Sequence, residues 1–215
     1  MDKKLPLQIL FALLFTSFIY SGSAQENWKL ARKADGIEVY TLNSDSKFNS
    51  FKGHMILESS VHSFVAFLND MDEYVNWGYK LKKVSLLKRS GDTSLIYYAI
   101  AQVPFPYKNR EGVYHNHFRW NAKSNTLMVD IETIDGYVAK NQDFVSIKGK
   151  GFWKVVVLPS GKLDVTFQMQ VDPGGAVPAW LSNMFIDETP YYTLLNLRKL
   201  ISNKKYQSKN YSFIK

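Results

Sequence analysis

The 215-residue sequence has no cysteine. That excludes a disulfide framework, a thiolate metal site, a cysteine nucleophile and lipid attachment through an N-terminal cysteine. Stability must then rest on the core alone. Also missing are internal repeats, low-complexity linkers and any break in composition after the first two dozen residues. No Gly-x-Ser-x-Gly elbow, Walker loop or dinucleotide fingerprint occurs, so no cofactor is expected and hydrolytic machinery has no foothold. No DNA- or RNA-binding motif is present either, which argues against a nucleic-acid partner.

The composition that remains is ordinary for a globular domain, at 46% hydrophobic and 15% aromatic. A chain of this length can bury most of the surface its unfolded form exposes. At the N-terminus, Lys3 and Lys4 precede the apolar run Leu5–Phe15, and Ser21-Gly22-Ser23-Ala24 follows. A basic segment, an apolar segment and small residues in that order predict a signal peptide over residues 1–24, cleaved after Ala24. The run contains Pro6 and Gln8 and falls short of the roughly 20 apolar residues a spanning helix needs. An exported chain without cysteine fits a bacterial periplasm better than a disulfide-dense extracellular module. Residues 25–215 are then expected to form one domain, acting as a monomer.

The net charge is +8. The excess is spread over lysines such as Lys80, Lys82, Lys83, Lys88, Lys148, Lys150 and Lys154. This is the pattern of a solvated basic surface, and it also permits transient attraction to an anionic membrane surface.

Periodicity gives strands, a short helix, more strands and a long C-terminal helix, an α+β order. Ile37, Val39 and Thr41 alternate on one strand face. Val61, Phe64, Val65 and Leu68 take helical spacing behind a Ser59-Ser60 cap. From Lys162 to Val171 every odd position is apolar and every even one polar, so one face is buried and the other wet. The strand before it alternates likewise, with Trp153, Val155 and Val157 opposite Lys148, Lys150 and Lys154, and Leu158–Lys162 joins the two as a hairpin. From Arg110 to Trp120, Tyr114, Phe118 and Trp120 share one face; Glu111, His115, His117 and Arg119 share the other. A sheet with one dry face needs a cover. The cover is expected after the turn Asp172-Pro173-Gly174-Gly175, where Pro178 suits a first helical turn and Trp180, Leu181, Met184 and Phe185 form a stripe that resumes beyond Pro190. Pro190 itself predicts a kink or break.

Two blocks resemble a known family. Pro104-Phe105-Pro106-Tyr107-Lys108-Asn109-Arg110-Glu111 is similar to the Pro-x-Pro-x-x-x-Arg-Asp signature of START (steroidogenic-acute-regulatory-related lipid transfer) domains, especially the phosphatidylcholine-transfer branch. The block Asp172–Asn183 is closer still, Leu195-Asn196-Leu197-Arg198-Lys199 falls at the family's final helix, and Trp28 with Gly36–Tyr40 resembles its opening. The resemblance implies a helix-grip fold: a curved antiparallel sheet wrapped around a long C-terminal helix, with an internal hydrophobic cavity for one lipid, sterol or similar hydrophobe. It implies a gate at Pro104, Phe105, Pro106, Gly174, Gly175 and Pro178. The chain departs from the pattern at Glu111, which replaces the aspartate, and at Asn116, where some members place a second inward arginine.

Strand parity and the resemblance together nominate ligand-binding walls at Tyr98, Tyr114, Asn116, Trp120, Trp153, Phe167 and Met169, joined by Trp180, Leu181, Met184 and Phe185 from the cover. Arg110 begins on the dry face and is expected to meet either a ligand's phosphate or carboxylate or an internal ion-pair partner. His115 and His117 point the same way on a strand, but no spacing supplies a third zinc ligand and no metal is expected. The carboxylates Asp130, Glu132 and Asp135 fit a solvated edge. A non-catalytic carrier is the leading expectation. A polyketide cyclase or aromatase of the wider helix-grip superfamily and a ligand-responsive binding module are the alternatives.

Overall fold

The computed structural model describes residues 27–42, 49–139, 141–175, 178, 180–181 and 184–215. The predicted signal peptide lies outside them. The sequence alternation becomes a ten-stranded sheet: β1 (Lys29–Ala34), β2 (Ile37–Leu42), β3 (Asn49–Leu57), β4 (Leu81–Ser90), β5 (Ser94–Ala101), β6 (Arg110–Asn121), β7 (Thr126–Thr133), β8 (Val145–Ser146), β9 (Lys148–Val157) and β10 (Leu163–Asp172). The strands run in the order β1-β2-β3-β10-β9-β7-β6-β5-β4, all neighbours antiparallel, while short β8 pairs in parallel with β6.

Burial follows the sequence pattern closely on β10, where buried and half-buried residues alternate from Leu163 to Asp172. The expected hairpin forms, with Leu158 N donating to the Lys162 carbonyl at 2.9 Å. Asp130 and Glu132, however, sit on the outer face of β7, which lies between β6 and β9. They are therefore a wet face of an interior strand and not an edge.

Helix α1 (Val61–Asn69) begins where Ser60 accepts a hydrogen bond from Ser63 N at 3.0 Å, relieving one of the first turn's unpaired donors. Its Phe64, Phe67 and Leu68 are fully buried. A single 3₁₀ turn (Met71–Glu73) leads into the one-turn helix α2 (Tyr74–Trp77). In the C-terminal cover Trp180 and Leu181 are helical, a π-helical stretch runs over Met184–Glu188, and α3 (Thr189–Leu200) is regular, followed by the short α4 (Lys204–Gln207). Pro190 stands in the first turn of α3, where its missing N–H costs nothing, and the wider register lies just before it. Here the expected break at Pro190 takes the form of a change of helical register.

Helix α3 lies close against the sheet at Gly53. A Cβ there would come within 2.7 Å of Leu194 Cδ1 and 3.3 Å of Pro190 Cβ. Glycine at this position lets Leu194 and Leu197 of α3, both fully buried, settle onto β3. Among the described residues no helix is long and apolar enough to cross a membrane.

Candidate functional site

The inner face of the sheet and the helices that cover it do not close into a solid core. Between them lies a cavity of about 160 Å³ bounded by β3, β5, β6, β7, β9 and β10 on one side and by α2 and α3 on the other. Its wall is a chain of aromatic rings in contact. Trp153 stacks on Phe167 at 4.0 Å, and Phe51 meets Phe167 edge-on at 5.2 Å. Trp77 meets Trp153 at 6.3 Å and Tyr74 at 4.6 Å, Tyr74 meets Tyr97 at 5.3 Å, and Tyr97 stacks on Tyr114 at 5.4 Å. Offset and edge-on pairs of this kind add to the transfer energy of burying the rings.

The aromatic part of the wall carries no charged side chain; the charged lining residue is Lys80. Burial pushes the Tyr114 hydroxyl up to about 12, and the same cause raises Tyr74 and Tyr97. All three stay neutral at physiological pH. Lys80 is the lysine nearest the cavity, and it is exposed at the mouth beside Tyr79 and Leu81. Tyr79 is fixed there by donating to Glu188 at 2.6 Å and by stacking on Tyr192 at 4.8 Å.

A second, separate apolar cluster adjoins the mouth. Val103 and Leu181 are its buried members, with Tyr79, Tyr107 and Phe185 packed around them. Phe185 belongs both to this cluster and to the cavity wall. Trp180, 48% exposed, meets the outer side of Tyr107 at 5.6 Å. Phe105 at the tip of the same loop is 96% exposed, and Pro104 and Pro106 beside it are exposed too.

Arg110 ties these loops together. It is 3% exposed, and its guanidinium donates to three backbone carbonyls: Lys108 at 2.6 Å, Pro173 at 3.0 Å and Gly174 at 3.2 Å. Desolvation lowers its pKa, yet a guanidinium stays protonated. Neither expected partner, carboxylate or cavity, is what it meets. Arg110 opens β6, so its side chain reaches past the end of the sheet to the turn that follows β10. Gly174 has a positive φ of +69°, and a Cβ there would meet the Ser146 carbonyl at 2.6 Å. Gly175, at +66°, faces open space, and Pro178 is half-buried.

Of the nominated walls, Tyr114, Asn116, Trp153, Phe167, Met169 and Phe185 line the cavity together. Leu181 lies in the cluster at the mouth, Trp180 outside it. The Met184 side chain lies outside the described residues. Tyr98 does not line the cavity: it is on the outer face of β5, donating to Glu111 at 2.6 Å. Its neighbour Tyr97 faces inward instead. Trp120 is also elsewhere, at the far end of β6, where its indole donates to the main-chain oxygen of Lys215 at 2.7 Å.

Phe51, Tyr74, Trp77 and Tyr97 escaped the sequence reading. Tyr97 was hidden because Ile96 and Ile100 are as well buried as the inward residues of β5, which removes the alternation. Trp77 was hidden because α2 is too short for a period. A larger groove, about 530 Å³, crosses the outer face between His115, His117, Lys150 and Gln168. It is open, and its two carboxylates have partners within the sheet: Asp130 meets Arg119 at 2.6 Å and Glu132 lies 3.5 Å from His115.

No protein-family model matches the chain. An uncharacterised protein of Pseudomonas aeruginosa is 28% identical over 196 residues, covering 90% of this chain and 95% of that protein. The phosphatidylcholine transfer protein of Rattus norvegicus is 29% identical over 169 residues, covering 73% and 75%. The solved STAR-related lipid transfer protein of Xanthomonas axonopodis is 33% identical and superposes with a TM-score of 0.74, over 82% of this chain and 99% of that one. With the helix-grip architecture, the two signature blocks and this identity over nearly the whole of a solved relative, the chain belongs to the STAR-related lipid transfer (START) family.

Proposed function

We propose that the protein encloses a single hydrophobic ligand of lipid character in the aromatic cavity and releases it when the loops at the mouth part. The observation that carries this is the ring-lined cavity, uncharged within and capped by a small apolar cluster that is not part of the main core. Apolar transfer supplies the affinity, and a few polar groups orient the ligand. The names of the relatives, lipid transfer proteins, support the same cargo class. The role is carriage, not catalysis.

Loop 104–109 and the turn 172–175, with Pro178, are the gate, with Phe185 and Leu181 as its apolar seal. Arg110 holds the gate shut by binding backbone carbonyls of both loops, and its ligand is thus the protein itself. Phe105 and Trp180 are the exposed apolar residues at the gate, suited to dip into a membrane surface that the scattered lysines attract. Residues 1–24 direct export, and residues 25–215 work in the periplasm as a monomeric domain.

The cavity is smaller than the roughly 300–1,000 Å³ of ordinary small-molecule sites. That favours a compact cargo over a two-chain phospholipid. Native mass spectrometry of the purified protein, with extraction and identification of what co-purifies, tests the proposal. One hydrophobe per chain is the expected result. A protein that stays empty when sterols, single-chain lipids and phospholipids are each supplied in vesicles would overturn it.

A further inference from the structure

Among the described residues three that are not glycine have a positive φ: Asp35 at +52°, Lys80 at +61° and Asn125 at +46°. Aspartate and asparagine are the types that tolerate this left-handed backbone best. Lysine is not, so its place here asks for a reason outside the backbone. Lys80 is the third residue of the turn Gly78–Leu81, which closes where Leu81 N donates to the Gly78 carbonyl at 3.0 Å. Glycine ordinarily fills a positive-φ position of this kind.

The turn is fixed from two sides. Tyr79 N donates to Thr193 Oγ1 at 3.2 Å, and Gln102 N donates to the Lys80 carbonyl at 2.7 Å. The root of the Lys80 side chain is thereby held at the cavity mouth, while its ammonium sits on a flexible four-carbon stem. Nζ lies 5.3 Å from the centre of the Tyr79 ring, which also lines the cavity. Among the described residues no carboxylate forms an ion pair with this ammonium. Glu188, next to Tyr79, already accepts the Tyr79 hydroxyl proton at 2.6 Å.

The mouth thus joins a ring-lined apolar interior to one unpaired cation at its rim. The complement of that arrangement is an amphiphile with a compact apolar part and a single anionic head. A cationic head would be repelled, and a neutral one would gain nothing from the ammonium. An anion drawn deeper would find no cation, because the Arg110 guanidinium is committed to backbone carbonyls. At the rim the head keeps its contact with water, so little desolvation opposes the pairing. Resting on the carrier reading above, we infer that Lys80 selects cargo with an anionic head, a carboxylate or a phosphate, holding the head at the mouth while the apolar part fills the cavity.

Four probes with one chain test this: octanoate, octyl phosphate, octanol and octylammonium, titrated calorimetrically at neutral pH. In the unaltered protein octanoate is expected to bind at least about tenfold more tightly than octylammonium, a comparison that needs no variant. Lys80→Gly suits the backbone of the turn and should not lower the urea midpoint. In that protein both anions are expected to bind about tenfold more weakly, and octanol to change by less than about twofold. Lys80→Arg should keep the binding of both anions. The anion that binds more tightly names the head, phosphate or carboxylate. Octanoate binding no tighter than octylammonium, undiminished octanoate binding in Lys80→Gly, or an equal loss of octanol there would overturn the role of Lys80 and leave the carrier reading intact. If none of the four binds the unaltered protein, the Lys80 inference falls, and the carrier reading is decided separately by what co-purifies.

Discussion

The Nε of Arg110 donates to the carbonyl of Pro173 at 3.0 Å, joining the first residue of β6 to the turn after β10 across 63 positions of sequence. Hydrogen bonds from a charged donor contribute about 1.5–3 kcal/mol each when buried. Arg110→Met keeps much of the side-chain volume and removes all three such bonds, so a loss of about 2–4 kcal/mol is expected. Amide hydrogen exchange in 103–109 and 172–175 should quicken more than elsewhere in the sheet. Uniform quickening would mean that the guanidinium supports the whole fold and not these loops in particular.

Gly174 and Gly175 are neighbours with the same backbone hand but different surroundings. Gly174→Val brings a side chain against the Ser146 carbonyl and is expected to destabilise by about 3 kcal/mol or more. Gly175→Ala meets open space and should cost only about 1 kcal/mol, the strain of a positive φ. Urea denaturation of the two proteins checks the order, and Gly175→Ala is the variant in which ligand loading can be assayed on a folded protein.

Tyr97 and Tyr98 occupy opposite faces of β5. Tyr98→Phe is expected to leave ligand uptake unchanged and to loosen only the contact with Glu111. Tyr97→Ala removes a ring from the wall and should weaken retention of the ligand about tenfold or more while costing about 3 kcal/mol in stability. Impaired uptake in Tyr98→Phe would contradict the placement of the site on the inner face.

Phe105 is almost fully exposed, so Phe105→Ser should change thermal stability by no more than about 0.5 kcal/mol. Its binding to vesicles of mixed neutral and anionic lipid should fall about tenfold, the transfer energy of one large apolar side chain. Co-sedimentation with vesicles reads this directly, and unchanged sedimentation would place membrane contact elsewhere.

Lys205 bridges Asp70 at 2.8 Å and Glu73 at 2.7 Å. At Asp70, burial would raise the carboxyl pKa, but the hydrogen bonds from Lys205 and Tyr206 outweigh it and hold the pKa below its ordinary value. At Glu73 the Lys205 bond leads and the shift is again downward. The folded-state values are depressed, so the stability they confer is fully present above the unfolded value of about 4 and is lost as pH falls through the folded value. The difference in urea midpoint between the unaltered protein and Lys205→Ala should therefore persist at neutral pH and vanish well below pH 4. A difference that stays constant with pH would assign it to packing on Tyr206 instead.

The fold was legible where each strand has one wet face. On β10 and from His117 to Asn121 of β6 polar and apolar residues alternate without interruption, and six wall residues follow from strand parity and the family resemblance. Legibility failed where water does not enforce alternation. β5 is apolar on both faces, so Tyr98 stood in for Tyr97. The one-turn α2 carries Tyr74 and Trp77 with no period to reveal them. Arg110 was misplaced for another reason: parity gives the direction of a Cβ, while a guanidinium several bonds away goes where carbonyls need donors. Trp120 had the correct parity, but the C-terminal residues cover that end of the sheet, and nothing local in sequence marks this.

Strand β3 finds one neighbour at once, in β2, and the other only when β10 has been made, with Leu57 opposite Leu163. Synthesis therefore leaves a three-strand ribbon with an open inner margin until most of the chain exists. Contacts so distant in sequence slow folding and make it a single late event. The pocket's sheet wall is completed by that same closure and its helical cover follows it in the chain, so the container cannot be filled before it is finished, and a chain still being made has no place to hold a guest.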